Sequence, residues 1–283
     1  MRPAVPGAPP ENEALAAEQD AWAGRKKAID VGGLDLAFVE IAGVEPPLLL
    51  LHGFTDTSRS FSLLAPYLSG RRLIMPDLRG HGASQAGRGC SVADFAEDIA
   101  GLIRRLRLER PVVVGHSLGA MVAIALAARH GELVDGLVVM ASTLKPEQSP
   151  DHPLIVGVAA LHDPISPSDR FFDWWHACGP GVPQAFLSSL ARDASAMPAA
   201  RWRAILEEVR RTDLAATART IHARTLIIAG ACDPLFGAAH QQALAEALAG
   251  SRLIWAPGCG HNPHWEDPAL VAAAIAGKFR AGA

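Results

Sequence analysis

Three residues of this chain are of the types that acyl-transfer chemistry needs, and each follows a short apolar run. Ser117 sits in Gly115-His116-Ser117-Leu118-Gly119 behind Val112-Val113-Val114. Asp233 follows the run Thr225 to Ala229, and His261 follows the run Arg252 to Trp255. A serine hydroxyl is a weak nucleophile until a base takes its proton. Histidine has the pKa for that task, and a buried carboxylate fixes its tautomer and stabilises the imidazolium. A serine held between a strand and a helix also leaves little room beside it, which accounts for glycine at 115 and 119. The helix N-terminus behind it favours developing negative charge.

These residues require strands that end at a common edge and helices that return the chain. Ala28 to Val31 and Leu34 to Ile41 read as a hairpin around Gly32-Gly33. Leu48 to Leu51, Arg72 to Met75, Pro111 to Gly115, Val134 to Ala141, Thr225 to Ala229 and Arg252 to Trp255 read as further strands, mostly buried and parallel. Helices are expected over Ser60 to Leu68, from Val92 with Ser91 as N-cap and Asp94 three residues on, over 118–130, over Gly237 to Ala249, and from Pro268 with Asp267 as N-cap. The alternation lapses between about Ser142 and Thr225. Helical patterns there, at Asp169 to Cys178, Pro183 to Arg192 and Pro198 to Arg211, carry Phe171, Phe172, Trp174, Trp175, Phe186 and Trp202. That aromatic surface is expected to line a substrate pocket in part. The implied class is α/β: a mostly parallel sheet flanked by helices, with its site at the carboxyl ends of the strands.

Composition narrows the partners. With 26 basic and 29 acidic residues among 283 and a formal charge of -3, the chain has no electrostatic footprint for nucleic acid. No apolar stretch approaches the length of a membrane span, and no signal peptide is read. Cys90, Cys178, Cys232 and Cys259 lack paired spacing, so neither a zinc site nor a disulfide scaffold is expected and a reducing, cytoplasmic location fits. Cys232 and Cys259 flank the candidate residues and are expected near one another, as small buried hydrophobes. Residues 1–10 are Pro-rich and expected to be disordered, with Glu11 to Lys27 a helix or loose arm.

Five segments, in order, resemble the α/β-hydrolase superfamily: H-G-F at 52–54, P-D-L-R-G-H-G-A-S at 76–84, G-H-S-L-G at 115–119, G-A-C-D-P at 230–234 and G-H-N-P-H-W-E-D-P at 260–268. The resemblance runs from about Ile29 to the C-terminus. It implies an eight-stranded-type sheet over 28–142 and 223–283, a helical cap over 143–222, and an N-terminal extension over 1–27. It implies Ser117 as nucleophile, Asp233 as acid, His261 as base, and the backbone N–H groups of Phe54 and Leu118 as oxyanion hole. The pattern aligns His261, not His264, with the base. His116 is read as structural and pointing away, and Asp77, Arg79 and His81 as fixing the Gly-rich loop.

Ester or lactone hydrolysis without metal or cofactor follows, on a small, predominantly apolar substrate. The dehalogenase and epoxide-hydrolase branches use aspartate at the elbow, and the epoxide enzymes add cap tyrosines. This chain has Ser117, and its one tyrosine, Tyr67, lies outside the insertion. Carbon-carbon bond hydrolases, cofactor-free haloperoxidases and acyltransferases share the serine triad and stay open, as do a ligand receptor of the same fold and a homo-oligomer.

Overall fold

Eight runs become strands of one sheet in the computed structural model, which describes residues 10–279. They are β1 (Lys27–Asp30), β2 (Asp35–Ile41), β3 (Val44–Leu51), β4 (Arg71–Pro76), β5 (Val112–His116), β6 (Gly136–Met140), β7 (Arg224–Gly230) and β8 (Arg252–Ala256), in the spatial order β1-β2-β4-β3-β5-β6-β7-β8. Gly32 and Gly33, both at positive φ, turn β1 back on β2. β2 is also antiparallel to β4, and every pairing from β4 through β8 is parallel.

The helices are α1 (Pro10–Ala21), α2 (Val92–Arg105), α3 (Leu118–Arg129), α4 (Pro153–Ala160), α5 (Arg170–Trp175), α6 (Gln184–Ser195), α7 (Ala199–Arg211), α8 (Ala215–Ala218), α9 (Ala238–Ala247), α10 (Pro263–Glu266) and α11 (Pro268–Lys278). None among the described residues is long and apolar enough to cross a membrane. Successive strand residues face opposite sides of the sheet, so both sides need cover. Leu49, Leu51, Val113, Leu137, Val139 and Ile227 share one core with α2, α3 and the end of α9. Leu48, Leu50, Val112, Val114, Val138, Met140 and Ile228 share the other with α11, Trp22 and Phe61. At roughly 1.5 to 3 kcal/mol for each fully buried aliphatic or aromatic side chain, these two layers dominate the burial term.

Local signals behave as physics requires where they are strong. Ser91 and Asp94 form a reciprocal capping box on α2, and the Asp267 side chain accepts from the Leu270 N–H at the start of α11. The helix expected over Ser60 to Leu68 is instead two short 3-10 turns, Ser58–Phe61 and Ala65–Leu68. Pro66 has no N–H to give and its ring crowds the carbonyl four residues back, which breaks a continuous helix. β3 starts earlier than expected and runs through Pro46 and Pro47, with a register shift between Val44 and Leu48. Of the cysteines only Cys259 is buried; Cys232 is exposed, although its N–H donates to the Cys259 carbonyl and the two are neighbours, as expected.

Helices α4 to α8 form an insertion between β6 and β7, the place of the expected lapse. α4 and α8 lack a clear apolar period, and neither is evident from the sequence pattern. The stretch Glu11 to Lys27, read as a helix or loose arm, is helix α1, which lies against α6, as far as Ala21, then a 3-10 turn over Trp22–Arg25 and the first residue of β1. Gln19 and Trp22 are buried and bond Ser62 and Ser58. The disorder expected for residues 1–10 falls almost wholly on residues outside those described.

Candidate active site

Parallel register brings the strand ends together. Leu51 pairs with Gly115, His116 with Met140, Met140 with Ile228, and Gly230 with Ala256, so the loops after β3, β5, β7 and β8 leave one edge. Between β5 and α3, Ser117 takes φ 50° and ψ -114°, a backbone conformation that costs a non-glycine residue about 1 to 3 kcal/mol. Its neighbours explain how it persists. A Cβ at Gly115 would lie 2.4 Å from the Gly119 carbonyl oxygen, and one at Gly119 would lie 2.1 Å from the Leu51 oxygen. Both glycines are demanded by close backbone approach. The Ser117 N–H donates to the Met140 carbonyl (2.9 Å), and the Ser142 hydroxyl donates to the Ser117 carbonyl (2.8 Å).

Asp233 and His261 meet from the loops after β7 and β8, with His261 Nδ1 3.0 Å from Asp233 Oδ2. The carboxylate can only accept, so Nδ1 carries the proton in this bond. Burial opposes the charge on Asp233. The His261 charge, the hydrogen bond from it, and the Leu235 and Phe236 N–H groups outweigh that penalty and hold the carboxyl below its ordinary pKa. Ser117 and His261 line one cavity, and no hydrogen bond among the described residues joins them. In free enzymes such contacts are often long and tighten with substrate.

Phe54 lies on the same cavity, and Leu118 is the first residue of α3. Neither N–H donates to another described group. His52 sets the turn before Phe54: its Nε2 accepts from the Leu78 N–H (2.9 Å), which leaves Nδ1 to donate to the Gly53 carbonyl (2.8 Å). Burial, with His81 nearby, keeps its imidazole well below the ordinary histidine pKa.

His116 is buried as a structural residue would be, yet it lies against the candidate base, not away from it. Its Nε2 donates to the His261 carbonyl (2.9 Å), and burial depresses its pKa to about 3. His264 is also buried and held neutral, with Nε2 2.9 Å from the Ser60 hydroxyl. Asp77, Arg79 and His81 hold the 76–84 loop. Asp77 accepts from the Ser58 and Ala83 N–H groups and from Lys26, Arg79 forks onto Asp98, and His81 faces the Arg79 carbonyl.

Two residues at the site carry no sequence signal of their own, and a third, Glu266, stands in the 260–268 motif without a role assigned to it there. Ser142 follows the strand whose end was noted only for lacking a carboxylate. Glu266 accepts from the Gly260 N–H (2.9 Å) through one oxygen and from the Gly179 N–H (3.1 Å) through the other, joining the His261 loop to the insertion. Asp56, two residues after Phe54, lines the Ser117 cavity and is 5% exposed.

That cavity holds only about 10 Å³, room for roughly one water molecule. It shares Trp175, His261 and Asn262 with a larger one of about 250 Å³ that Trp174, Cys178, Leu235 and Glu266 also line. The aromatic residues of the insertion divide accordingly. Trp174 and Trp175 reach these cavities, and Trp175 Nε1 donates to Thr55 Oγ1 (2.9 Å). Phe171 stacks behind Trp175, and Phe172 lines a separate cavity of about 450 Å³ within the insertion. Phe186 and Trp202 are fully buried in the packing and reach neither cavity at Ser117.

Known proteins share this frame. The profile of the Alpha/beta hydrolase family matches residues 48–274. The chain is 30% identical over 260 residues to a 2-(acetamidomethylene)succinate hydrolase of Mesorhizobium japonicum, covering 87% of this chain and 92% of that protein. It is 34% identical over 248 residues to a pimeloyl-[acyl-carrier protein] methyl ester esterase of Aromatoleum aromaticum, covering 80% and 96%. A thermophilic esterase from Thermogutta terrifontis superposes with a TM-score of 0.74 at 26% identity, over 88% of this chain and 96% of that one. Matched by its profile over most of its length and by relatives along nearly all of theirs, this chain belongs to the alpha/beta hydrolase family.

Proposed function

We propose that the protein is a serine hydrolase that cleaves a small, predominantly apolar carboxylic ester or lactone through an acyl-enzyme. The observation that carries this is the Asp233–His261 pair at 3.0 Å, opening on the same cavity as Ser117 at its positive φ. His261 Nε2 takes the Ser117 proton as the oxygen attacks the carbonyl, and the unoccupied N–H groups of Leu118 and Phe54 receive the oxyanion. The imidazolium returns the proton to the departing alcohol, then activates water against the acyl-enzyme. Helices α4 to α8 act as a cap, and Trp174 and Trp175 supply its apolar contact with substrate.

The two relatives suggest different substrates, one a succinate and the other a methyl ester. Among the described residues no lysine or arginine lines either cavity at His261, which favours the ester. The test is turnover of a 4-nitrophenyl ester series from acetate to decanoate, with a lactone panel, by wild type and Ser117→Ala. Turnover is expected to fall by at least about a thousandfold in the variant. A folded wild type that turned over none of these, or a Ser117→Ala enzyme of undiminished rate, would sink the reading.

A further inference from the structure

Among the described residues, three buried carboxylates each hold a cationic or imidazole partner within hydrogen-bond distance, and Asp56 does not. Asp77 takes two backbone N–H groups and Lys26, Asp98 takes a forked Arg79, and Asp233 takes His261 and two N–H groups. Asp56 is as deeply buried and has the Ser60 hydroxyl, 3.2 Å from Oδ2, and a backbone donor at Gly53, with no lysine or arginine paired to it among the described residues. The nearby guanidinium of Arg59 is committed to Asp193 and the Gln19 carbonyl. His116 Nδ1 lies 3.9 Å from Asp56 Oδ2, beyond hydrogen-bond reach, and has no partner of its own. Burying a carboxyl this way costs stability, and packing alone gives no return for it. The position does: Asp56 stands on the wall of the cavity that holds Ser117 and His261.

We propose that Asp56 sets the charge preference of the site, its carboxylate opposing any acyl group that carries a negative charge beside the scissile carbonyl. The proposal rests on the ester-hydrolase reading and deepens it, naming uncharged acyl groups as the substrate class. Among the described residues the other carboxylate lining either cavity is Glu266, whose oxygens are taken by backbone N–H groups, and no lysine or arginine lines them to offset the repulsion. In a site of low effective dielectric, a like charge a few ångströms away is worth about tenfold or more in rate.

Burial pushes the Asp56 carboxyl up to about 7, with the Ser60 hydrogen bond and the charge of His261 opposing. The preference is therefore adjustable by pH. Facing Asp56 are His116 from the elbow, His261 and, through Ser60, His264 from the loop after β8, and the Asp193–Arg59 pair from α6 and its own loop. His116 and His264 are held neutral by burial. Any step common to both esters, proton transfer to His261 included, cancels in the ratio of their rates.

The experiment compares kcat/KM for methyl butyrate and monomethyl succinate, followed by methanol release from pH 6 to 9, in wild type and Asp56→Asn. The neutral-to-anionic ratio is expected to rise about tenfold between pH 6 and 8.5 in wild type and to stay flat in Asp56→Asn. A wild type that shows no preference for the neutral ester at pH 8.5, a result that needs no variant to fold, overturns the proposal. So does a rise that survives in Asp56→Asn. Turnover of neither ester by folded wild type removes the hydrolase reading itself, and the proposal with it. The two failures are thus told apart by methyl butyrate alone.

Discussion

The strand-end loops and the helical insertion meet over Ser117 and are held by different forces. Ser117, Asp233 and His261 are fixed by backbone: parallel register, glycines that admit no Cβ, and N–H groups that lock the carboxylate. The insertion is tied down over the site by side chains: Trp175 to Thr55, Glu266 to the Gly179 N–H, and Asp193 to Arg59 and Thr57. The α1 helix adds Gln19, and the 3-10 turn after it adds Trp22, against the 58–62 segment. Backbone ladders break only with the fold, whereas single side-chain bonds, worth about 1 kcal/mol each, release and re-form. The cavity at Ser117 is small, about 10 Å³, and Trp175 of the insertion stands on its wall. If the protein turns over esters as proposed, residues fixed by backbone beneath side-chain ties that release are an arrangement an enclosed active site uses.

Substitutions on the two sides sharpen this contrast, and the largest effect belongs to the backbone-fixed side. Asp233→Asn keeps an oxygen for the Leu235 and Phe236 N–H groups and turns its amide nitrogen to His261. The imidazole must then present a lone pair at Nδ1 and a proton at Nε2, the wrong tautomer for taking the serine proton. Esterase kcat is expected to fall on the order of 10⁴-fold with little change in melting temperature. A loss below tenfold, in steady-state kinetics with a folded variant, would mean that the pair does not orient the base.

On the other side, Arg59→Met strips the Asp193 carboxylate of its cation and the Gln19 carbonyl of its donor. Breaking a fully buried pair costs roughly 3 to 5 kcal/mol. Water reaches Asp193, whose side chain is 21% exposed, so about 2 kcal/mol is expected here. Hydrogen exchange should accelerate in α6 and α1 and hold steady in β5 to β7. Uniform acceleration across the sheet would show that the insertion and core open together, and the contrast would fail.

The smallest effect is expected from Trp175→Phe, which keeps the ring and loses the bond to Thr55. About 1 kcal/mol less for the closed arrangement corresponds to roughly a fivefold change in its population. KM for longer acyl esters should fall by a few-fold relative to acetate. If the whole chain-length profile is unmoved, Trp175 is not part of the cover that releases.

The sequence by itself determined whatever depends on neighbours along the chain. The elbow, the capping box of Ser91 and Asp94, the Gly32-Gly33 hairpin and the apolar strands each follow from steric and hydrogen-bonding rules acting over a few residues. The ordered motifs carried Ser117, Asp233 and His261 with them. Local rules failed at Ser60 to Leu68, where Pro66 divides the expected helix, and in α4, whose Ala, Val and Gly residues have no distinct polar face.

Tertiary structure decided what depends on residues far apart in the chain. An aromatic side chain looks the same in sequence whether it fills a core, as Phe186 and Trp202 do, or reaches a cavity, as Trp174 and Trp175 do. The same holds for carboxylates. Asp77 and Asp56 are both buried, and only the folded chain gives one of them Lys26 and leaves the other beside Ser117 without a cation. Burial and pairing belong to the three-dimensional neighbourhood, and that neighbourhood sets a group's charge and what it can do to a substrate.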